Sequence, residues 1–272
     1  MSDVDKSIEN RFKQEPTDGN QGELAPLPTG GCIYPPNSPL YMKKTIPILY
    51  MTAEHEDVLN SRIFIKQGIV LDKLLAALVI DKSIDVGELI VGDKNAILLF
   101  ARIIGYGASY EVSEMKCDSC GKSFTATVHL DKIDIRKLGA EPIENGKNLF
   151  AYTLPRTKKI AKFHLLTTKD DAEIDEAEEN KKKLKGGLVL QSQPITTRLI
   201  KQIDEIEEVE SKNKADFIRK MPAYDSASLR SYIDDITPGP TMKQDVVCPH
   251  CGDSKEQIIP IGVEFFWPKS LA

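Results

Sequence analysis

The sequence predicts an α+β protein in four parts: an N-terminal extended arm, a helical cluster, a four-cysteine ribbon, and a long α/β insertion that splits the ribbon. Three observations predict this class. Glycine and proline are frequent in residues 1–39, apolar residues recur at helical spacing from about residue 52 to residue 104, and two strand-like segments each carry the pattern Cys-x-x-Cys-Gly. A chain of 272 residues can hold one large domain or two smaller ones.

Residues 1–39 are predicted to form an extended or flexible arm. They contain six prolines and four glycines and almost no apolar periodicity. Such a composition opposes helix formation and offers little surface to bury. Two roles stay open for the arm, a disordered tail or a segment that becomes ordered along a partner. Cys32 lies in this segment without a second cysteine nearby, so it is interpreted as an incidental thiol.

Residues 40–110 are predicted to form an edge strand followed by a helical cluster. Pro47 indicates an edge strand, because proline cannot donate to a central ladder. Thr52 is a predicted N-cap, and apolar residues at helical spacing follow it. Further apolar periodicity predicts a second helix over residues 71–80 and a third over residues 92–104.

Four of the five cysteines fall into two matched knuckles. Each knuckle has the order strand, Cys-x-x-Cys-Gly, strand, and together they supply Cys117, Cys120, Cys248 and Cys251. Two thiolates separated by two residues can occupy adjacent corners of a tetrahedron, and two such pairs complete a shell with zinc–sulfur bonds of about 2.3 Å. We therefore predict one structural Zn²⁺ site, with these four metal ligands, in a zinc ribbon formed by residues 111–135 and 243–272.

The two knuckles are far apart in the chain. Residues 121–247, 127 positions, lie between Cys120 and Cys248, which exceeds the usual spacing in a ribbon, so residues 136–242 are predicted to be an α/β insertion. Two redox-active dithiols or four unligated thiols are the alternatives, but neither accounts for the matched knuckles. Four protein thiolates leave no coordination position open to water or substrate, which is typical of a structural site. His250 is predicted to be exposed rather than a ligand.

The insertion is predicted to contain strands and helices. A hairpin is predicted over residues 148–168, a solvated helix with paired charges over 170–185, and a strongly amphipathic helix over 195–209. Shorter helical pieces follow at 217–221 and 229–236. A partner-binding charge patch is the alternative for residues 170–185.

Composition and motif searches argue against several classes of function. No apolar run approaches the roughly 18 residues that cross a bilayer, and the polar start of the chain does not resemble a secretory signal, so we expect a cytoplasmic site of synthesis and no membrane segment. The net charge of −5 argues against a broad nucleic-acid-binding face. The four histidines are scattered and no paired acid and base can be recognised. We therefore predict no enzyme, no catalytic residues and no small-molecule substrate.

Several segments resemble one family of proteins. They include Thr52-Ala-Glu-His-Glu-Asp-Val-Leu, Asp85-Val-Gly-Glu-Leu, Gly92-Asp-Lys-Asn-Ala-Ile-Leu-Leu and the closing Val263-Glu-Phe-Phe-Trp-Pro268. This pattern is similar to the baseplate hub and hub-assembly proteins of T-even-type contractile-tailed bacteriophages. The resemblance covers residues 40–135 and 243–268, and the arm and the insertion lie outside it. It implies the same order of strand, helical cluster and knuckle, and a C-terminal strand at the end of the chain.

The resemblance implies a structural or assembly role in the baseplate hub, with other baseplate and tail proteins as partners. The location would then be the virion tail baseplate, and the host cytoplasm during assembly. Two alternatives stay open: a transient tail or baseplate assembly chaperone, and a zinc-ribbon regulator that binds nucleic acid, for which Lys116, Lys122 and Lys255 offer a thin basic face. Phe265, Phe266 and Trp267 are interpreted as core aromatics, with anchoring to a neighbouring subunit as the alternative.

Overall fold

In a computed structural model of the protein, residues 22–183 and 194–267 are described. The helices are α1 (Ala53–Leu59), α2 (Arg62–Gln67), α3 (Val70–Leu78), α4 (Val91–Tyr106), α5 (Thr168–Lys183), α6 (Pro194–Gln202), α7 (Lys214–Lys220) and α8 (Ala223–Ile236). The strands are β1 (Glu23–Pro26), β2 (Thr45–Ile48), β3 (Ser109–Lys116), β4 (Ser123–His129), β5 (Ile135–Arg136), β6 (Phe150–Thr153), β7 (Ile160–Phe163), β8 (Ile203–Ile206), β9 (Gly239–Pro240), β10 (Lys243–Val247) and β11 (Ser254–Ile258). Helix and strand are both well represented, which agrees with the predicted α+β class.

Residues 22–39 pack into the core and do not form an arm. β1 pairs antiparallel with β2, and Ala25 and Leu27 are buried. Gly31 has a φ of 75°, and a Cβ there would lie 2.4 Å from the Leu40 carbonyl oxygen, so this tight turn requires glycine. The prediction of an arm is wrong for these residues, because proline and glycine oppose a helix but are favoured in the tight turns that fold this segment onto the core. Residues 1–21 lie outside the described residues.

β2 has neighbours on both sides and is not the edge strand predicted from Pro47. It pairs with β1 on one side, and an isolated bridge joins Ile48 to Val79 on the other. On that second side the Pro47 carbonyl accepts a hydrogen bond from the Ile80 N–H, at 3.3 Å. The missing N–H of proline is tolerated because the pairing there uses the carbonyl of this residue.

The helical cluster is present, with one change. The second and third predicted helices correspond to α3 and α4, whereas the first divides into α1 and α2, because Ser61 starts a new helix by accepting a hydrogen bond from the Phe64 N–H. α4 is the central element, and a continuous run of its residues is buried from Ala96 to Ile103. None of the described helices combines the length and apolar character needed to cross a membrane.

The two ends of the predicted insertion, residues 136–242, lie side by side. β5 pairs antiparallel with β9, with Ile135 opposite Pro240. The Thr241 N–H also donates to the Asp134 carbonyl at 2.8 Å. This pairing returns the chain to the place where it left, next to the hairpin β3–β4. The division of the chain into these parts stays a prediction.

Inside the insertion, the hairpin predicted around residues 155–159 is present as β6 and β7, and β8 adds to it as a third strand. The helix predicted over residues 195–209 ends at Gln202, and the segment after it forms β8. Ile203 and Ile206 are buried in β8. Their spacing fits a helix, but β-branched residues also suit a strand, and pairing with β7 decides between the two.

The C-terminal segment closes the fold without the predicted strand. Val263–Phe266 forms a short 3₁₀ turn, because β11 ends at Ile258 and Pro260 follows shortly after it. Phe265 and Phe266 are 1% and 0% exposed, so both are core aromatics as predicted. The Phe265 ring lies 5.2 Å from that of Tyr110, between ring centroids, which joins the end of the chain to β3.

Candidate metal centre

Two hairpins place the four predicted ligands. β3 pairs antiparallel with β4, and β10 pairs antiparallel with β11. Cys117 directly follows β3 and Cys248 directly follows β10, so each Cys-x-x-Cys segment forms the tip of its hairpin.

The two tips have the same backbone geometry. In the first, the Cys117 N–H donates to the Lys122 carbonyl at 3.0 Å, and the Gly121 N–H donates to the Cys117 carbonyl at 2.9 Å. In the second, the Cys248 N–H donates to the Asp253 carbonyl at 2.8 Å, and the Gly252 N–H donates to the Cys248 carbonyl at 2.9 Å. Gly121 and Gly252 have φ values of 70° and 77°, a conformation that favours glycine.

The structure brings all four predicted ligands together. The Sγ atoms of Cys117, Cys120, Cys248 and Cys251 lie within 4.8 Å of one another. Between the knuckles, the Sγ atoms of Cys117 and Cys251 are 3.6 Å apart, and those of Cys120 and Cys248 are 3.8 Å apart. Zinc–sulfur bonds of about 2.3 Å in a tetrahedron place the sulfurs about 3.8 Å from each other. The spacing therefore fits a tetrahedral metal ion of this size.

Polar contacts between the two tips hold them in this arrangement. The Lys255 ammonium contacts the Asp118 carboxylate at 2.6 Å, and the Ser119 hydroxyl donates to the Asp253 carboxylate at 2.6 Å. Cys117 and Cys248 are buried, whereas Cys251 is exposed. The centre is therefore enclosed on the side of the core and accessible on the other.

The electrostatics of the cluster favour a cation. Burial raises the pKa of the Cys248 thiol, but hydrogen bonds from the backbone N–H groups of His250 and Cys251 outweigh this and lower it to about 7. A hydrogen bond from the Asp253 N–H lowers the pKa of Cys251, but the other three cysteine side chains raise it to about 12. Neighbouring thiolates resist a further negative charge. Four thiolates at this spacing therefore require a compensating positive charge, which a divalent metal supplies.

The cluster contains cysteine and no other type of ligand. Its four thiolates can complete a zinc shell without water, so the arrangement suits a structural metal and offers no open position for catalysis. His250 is exposed and stays outside the cluster. Across residues 22–183 and 194–267, no second group of three or more histidine, cysteine or acidic side chains is close enough to hold a metal ion.

Sequence reasoning missed two buried polar residues on α4. Asp93 is 0% exposed and Arg102 is 2% exposed. Arg102 donates from Nε to the Phe265 carbonyl at 2.9 Å and from Nη1 to the Gly107 carbonyl at 2.8 Å, so it fixes the C-terminal segment against the base of β3. The sequence does show a charged residue at each of these positions within an apolar segment. Such a residue could have been noticed, but the sequence does not show which groups it would bond to.

Comparison with known proteins gives one match. The model of a protein family described as T4 bacteriophage base plate protein matches residues 48–267, well over half of the chain. No curated protein and no solved structure matches. The matched range contains both knuckles and also residues 136–242. The expectation that the resemblance leaves out the insertion is therefore wrong.

Proposed function

This chain belongs to the T4 bacteriophage base plate protein family, and on that premise we propose that it is a component of the baseplate hub of a contractile tail. In this role it binds neighbouring tail proteins through its surface. A structural Zn²⁺ ion held by Cys117, Cys120, Cys248 and Cys251 keeps that surface in one conformation.

The observation that carries the proposal is the cysteine cluster inside the matched range. Both knuckles fall within residues 48–267, and their Sγ atoms lie within 4.8 Å of one another. A metal there closes a loop of more than a hundred residues and joins the hairpin β10–β11 to the hairpin β3–β4. A protein whose work is binding needs a surface of fixed shape, and a closed four-thiolate site supplies rigidity without a reaction.

Mass spectrometry of purified virions tests the proposed function. A hub component is expected in a stable number of copies per particle, and cross-linking within isolated baseplates is expected to join it to proteins on the central axis. A chain that is abundant in infected cells but missing from the particle would instead identify an assembly chaperone. Cross-links confined to the periphery of the baseplate would contradict the hub position.

The zinc-ribbon regulator has less support. Lys255, one of the three lysines that would form its basic face, contacts the Asp118 carboxylate at 2.6 Å. Of the three lysines, Lys116 and Lys122 then remain to attract the phosphates of a nucleic acid. The net charge of the chain, −5, opposes such binding. Tight binding of the purified protein to DNA or RNA that weakens steeply with added salt would favour the regulator over the hub component.

A further inference from the structure

The hairpin β10–β11 leaves the outer edge of β11 unpaired. In the described residues, β10 and β11 form a two-stranded sheet, and no other strand pairs with β11. Ser254, Glu256 and Ile258 are exposed along β11. A sheet edge presents N–H and C=O groups that can template the addition of a further strand.

The register shows which backbone groups point outward from β11. The Cys248 N–H donates to the Asp253 carbonyl and the Ile259 N–H donates to the Met242 carbonyl, both at 2.8 Å. These two pairs are hydrogen-bonded pairs of the ladder, and pairs of this kind alternate with pairs whose N–H and C=O groups point away from the partner strand. Glu256 lies opposite Asp245, and this pair is of the second kind. The backbone groups of Glu256, and of Ser254 and Ile258 on either side of it, therefore face the free edge.

The other hairpin has an interrupted strand, β3, whereas β11 is regular. The register of β3 shifts between Val112 and Met115, and Glu114 has a φ of 57°. A bulge of this kind interrupts an edge and twists it away from a docking strand. The Arg102 guanidinium also donates to the Ser109 carbonyl at 3.3 Å. β11 keeps a regular register over five residues. Among the described residues, one backbone group on its free edge has a side-chain partner: the Ile258 carbonyl accepts a hydrogen bond from the Gln257 side-chain amide at 2.9 Å.

The side chains beside this edge define what fits there. Alternate residues of the hairpin share a face, so Glu256 and Ile258 lie on the same face as Val247. Ile258 is 57% exposed and Val247 is 59% exposed. The Lys243 ammonium contacts one oxygen of the Glu256 carboxylate at 3.4 Å, and a carboxylate can accept from several donors at once. A strand next to β11 would therefore meet the exposed Ile258 and, two residues along, the Glu256 carboxylate, with Asp245 opposite it on the same face. Neighbours of opposite charge or apolar character stabilise such contacts.

We propose that an extended segment of a neighbouring tail protein adds to the outer edge of β11 as a third strand, with a Lys or Arg opposite Glu256 and an apolar residue opposite Ile258. The inference rests on the proposed function, because it names the chemistry of one partner contact. Main-chain hydrogen bonds give such strand addition its affinity, and the alternating side chains give it specificity.

A second copy of this chain fits the edge less well. In an antiparallel pair of two β11 strands that overlap over all five residues, Glu256 lies opposite Glu256 of the other copy. Like charges directly opposite each other destabilise a pair of strands. The charge pattern therefore favours a different protein with a basic residue at this position.

Hydrogen exchange of the full-length chain, free and within purified tails, tests the proposal. The amides of Ser254, Glu256 and Ile258 are expected to exchange rapidly in the free protein and to become protected at least about tenfold in tails. Protection already present in the free protein would mean that the chain covers its own edge, and rapid exchange in tails would mean that no strand is added. Both results would overturn the inference while leaving the hub proposal standing, whereas absence of the chain from tails would remove the hub proposal itself.

Two proline variants separate the edge from the fold of the hairpin. Glu256→Pro removes an N–H of β11 that faces the free edge. Asp245, on β10, lies opposite Glu256, and Asp245→Pro removes an N–H that points away from β11. Neither N–H takes part in the ladder between β10 and β11, so both variants keep that ladder. Glu256→Pro is expected to reduce incorporation into tails about tenfold, as the loss of one hydrogen bond and its strand geometry implies. Asp245→Pro is expected to incorporate as wild type. Equal incorporation of both variants, with the zinc content of each unchanged, would contradict the proposed strand addition.

Discussion

Asp93 is a buried carboxylate without a basic partner among the groups that contact it. It accepts hydrogen bonds from the Thr29 N–H at 3.0 Å, the Thr29 hydroxyl at 2.6 Å and the Tyr34 hydroxyl at 2.7 Å. Burial raises the pKa of Asp93 to about 6, although these three hydrogen bonds lower it. The residue therefore fixes the loop after β1 against the start of α4, and its charged form is held at a cost to stability.

We predict that the stability lost in Asp93→Asn depends on pH. The folded pKa of about 6 lies above the ordinary value of 3.8, so proton uptake stabilises the folded wild type below about pH 4, and this contribution is lost as the pH rises through 6. The difference in free energy of unfolding between wild type and variant should therefore shrink by on the order of 2 kcal/mol from pH 4 to pH 7. Urea denaturation across this range measures it. A difference that does not change with pH would contradict the buried, proton-linked carboxylate.

Arg102 is predicted to be the residue on α4 that holds the C-terminal segment. Arg102→Met keeps much of the volume but removes the donor to the buried Phe265 carbonyl and to the Gly107 carbonyl, which should cost about 2–4 kcal/mol of unfolding free energy. Arg230→Met is the matched control, because Arg230 is exposed and donates to one carbonyl of its own helix, and it should cost less than about 0.5 kcal/mol. Chemical denaturation compares the two. Similar losses in both variants would show that Arg102 has no special role.

Residue-scale features of this kind are beyond the reach of the sequence. The cluster of four cysteines can be predicted, because the spacing within each knuckle is local and is typical of metal sites. Asp93 contacts Tyr34 and Thr29, which are 59 and 64 positions away in the sequence. Arg102 contacts Phe265, which is 163 positions away. A single sequence gives no information about such distant hydrogen bonds.

At the scale of elements, α4 and β9 approach each other so closely that only glycine fits. A Cβ on Gly92 would lie 1.9 Å from the Pro238 carbonyl oxygen. Gly92→Ala is therefore predicted to destabilise the protein by more than about 2 kcal/mol, since two packed backbones must separate. Gly105→Ala, in the same helix, would place its Cβ 3.4 Å from Met51 and should be neutral or stabilising by up to about 1 kcal/mol. Thermal unfolding of both variants checks this, and an equal effect at the two positions would contradict the close contact.

Most elements can be predicted from the sequence, and the exceptions have one cause. α3, α4, β3 and β4 follow from local periodicity and are present as predicted. Local sequence predicts that the residues of β8 belong to the last turns of a helix, because the isoleucines of β8 also fit the apolar stripe of a helix. Its conformation is decided by pairing with β7, a contact that local sequence does not encode. The same holds for β1, whose composition indicates only the absence of a helix.

At the scale of the whole molecule, the cysteine cluster joins the end of the chain to its middle. Chelation is predicted to release the hairpin β10–β11 while leaving α4 folded, because β10 packs against β4 and polar contacts join this hairpin to the first knuckle. Limited proteolysis with and without a strong chelator should show new cleavage between residues 243 and 259 before any within residues 91–106. Cleavage that begins in α4, or an unchanged pattern, would mean that the metal does not close this part of the fold.

The overall plan is more predictable than its details. The sequence indicates that two knuckles far apart in the chain share one centre, and the structure brings their sulfurs together. It also indicates a long insertion, whose ends are paired by β5 and β9. The packing of residues 22–39 into the core cannot be predicted, since that segment is buried by contacts with β2 and α4 rather than by its own periodicity.

Metal analysis of the purified full-length protein tests the central claim most directly. We predict about one zinc ion per chain, which is lost in Cys248→Ser and retained in the control Cys32→Ser, because Cys32 lies outside the cluster. Loss of the metal should be accompanied by a lower unfolding temperature, since metal binding contributes to folding free energy. A protein that folds fully in strong chelator without metal, or a Cys248→Ser variant that keeps its zinc, would contradict the account.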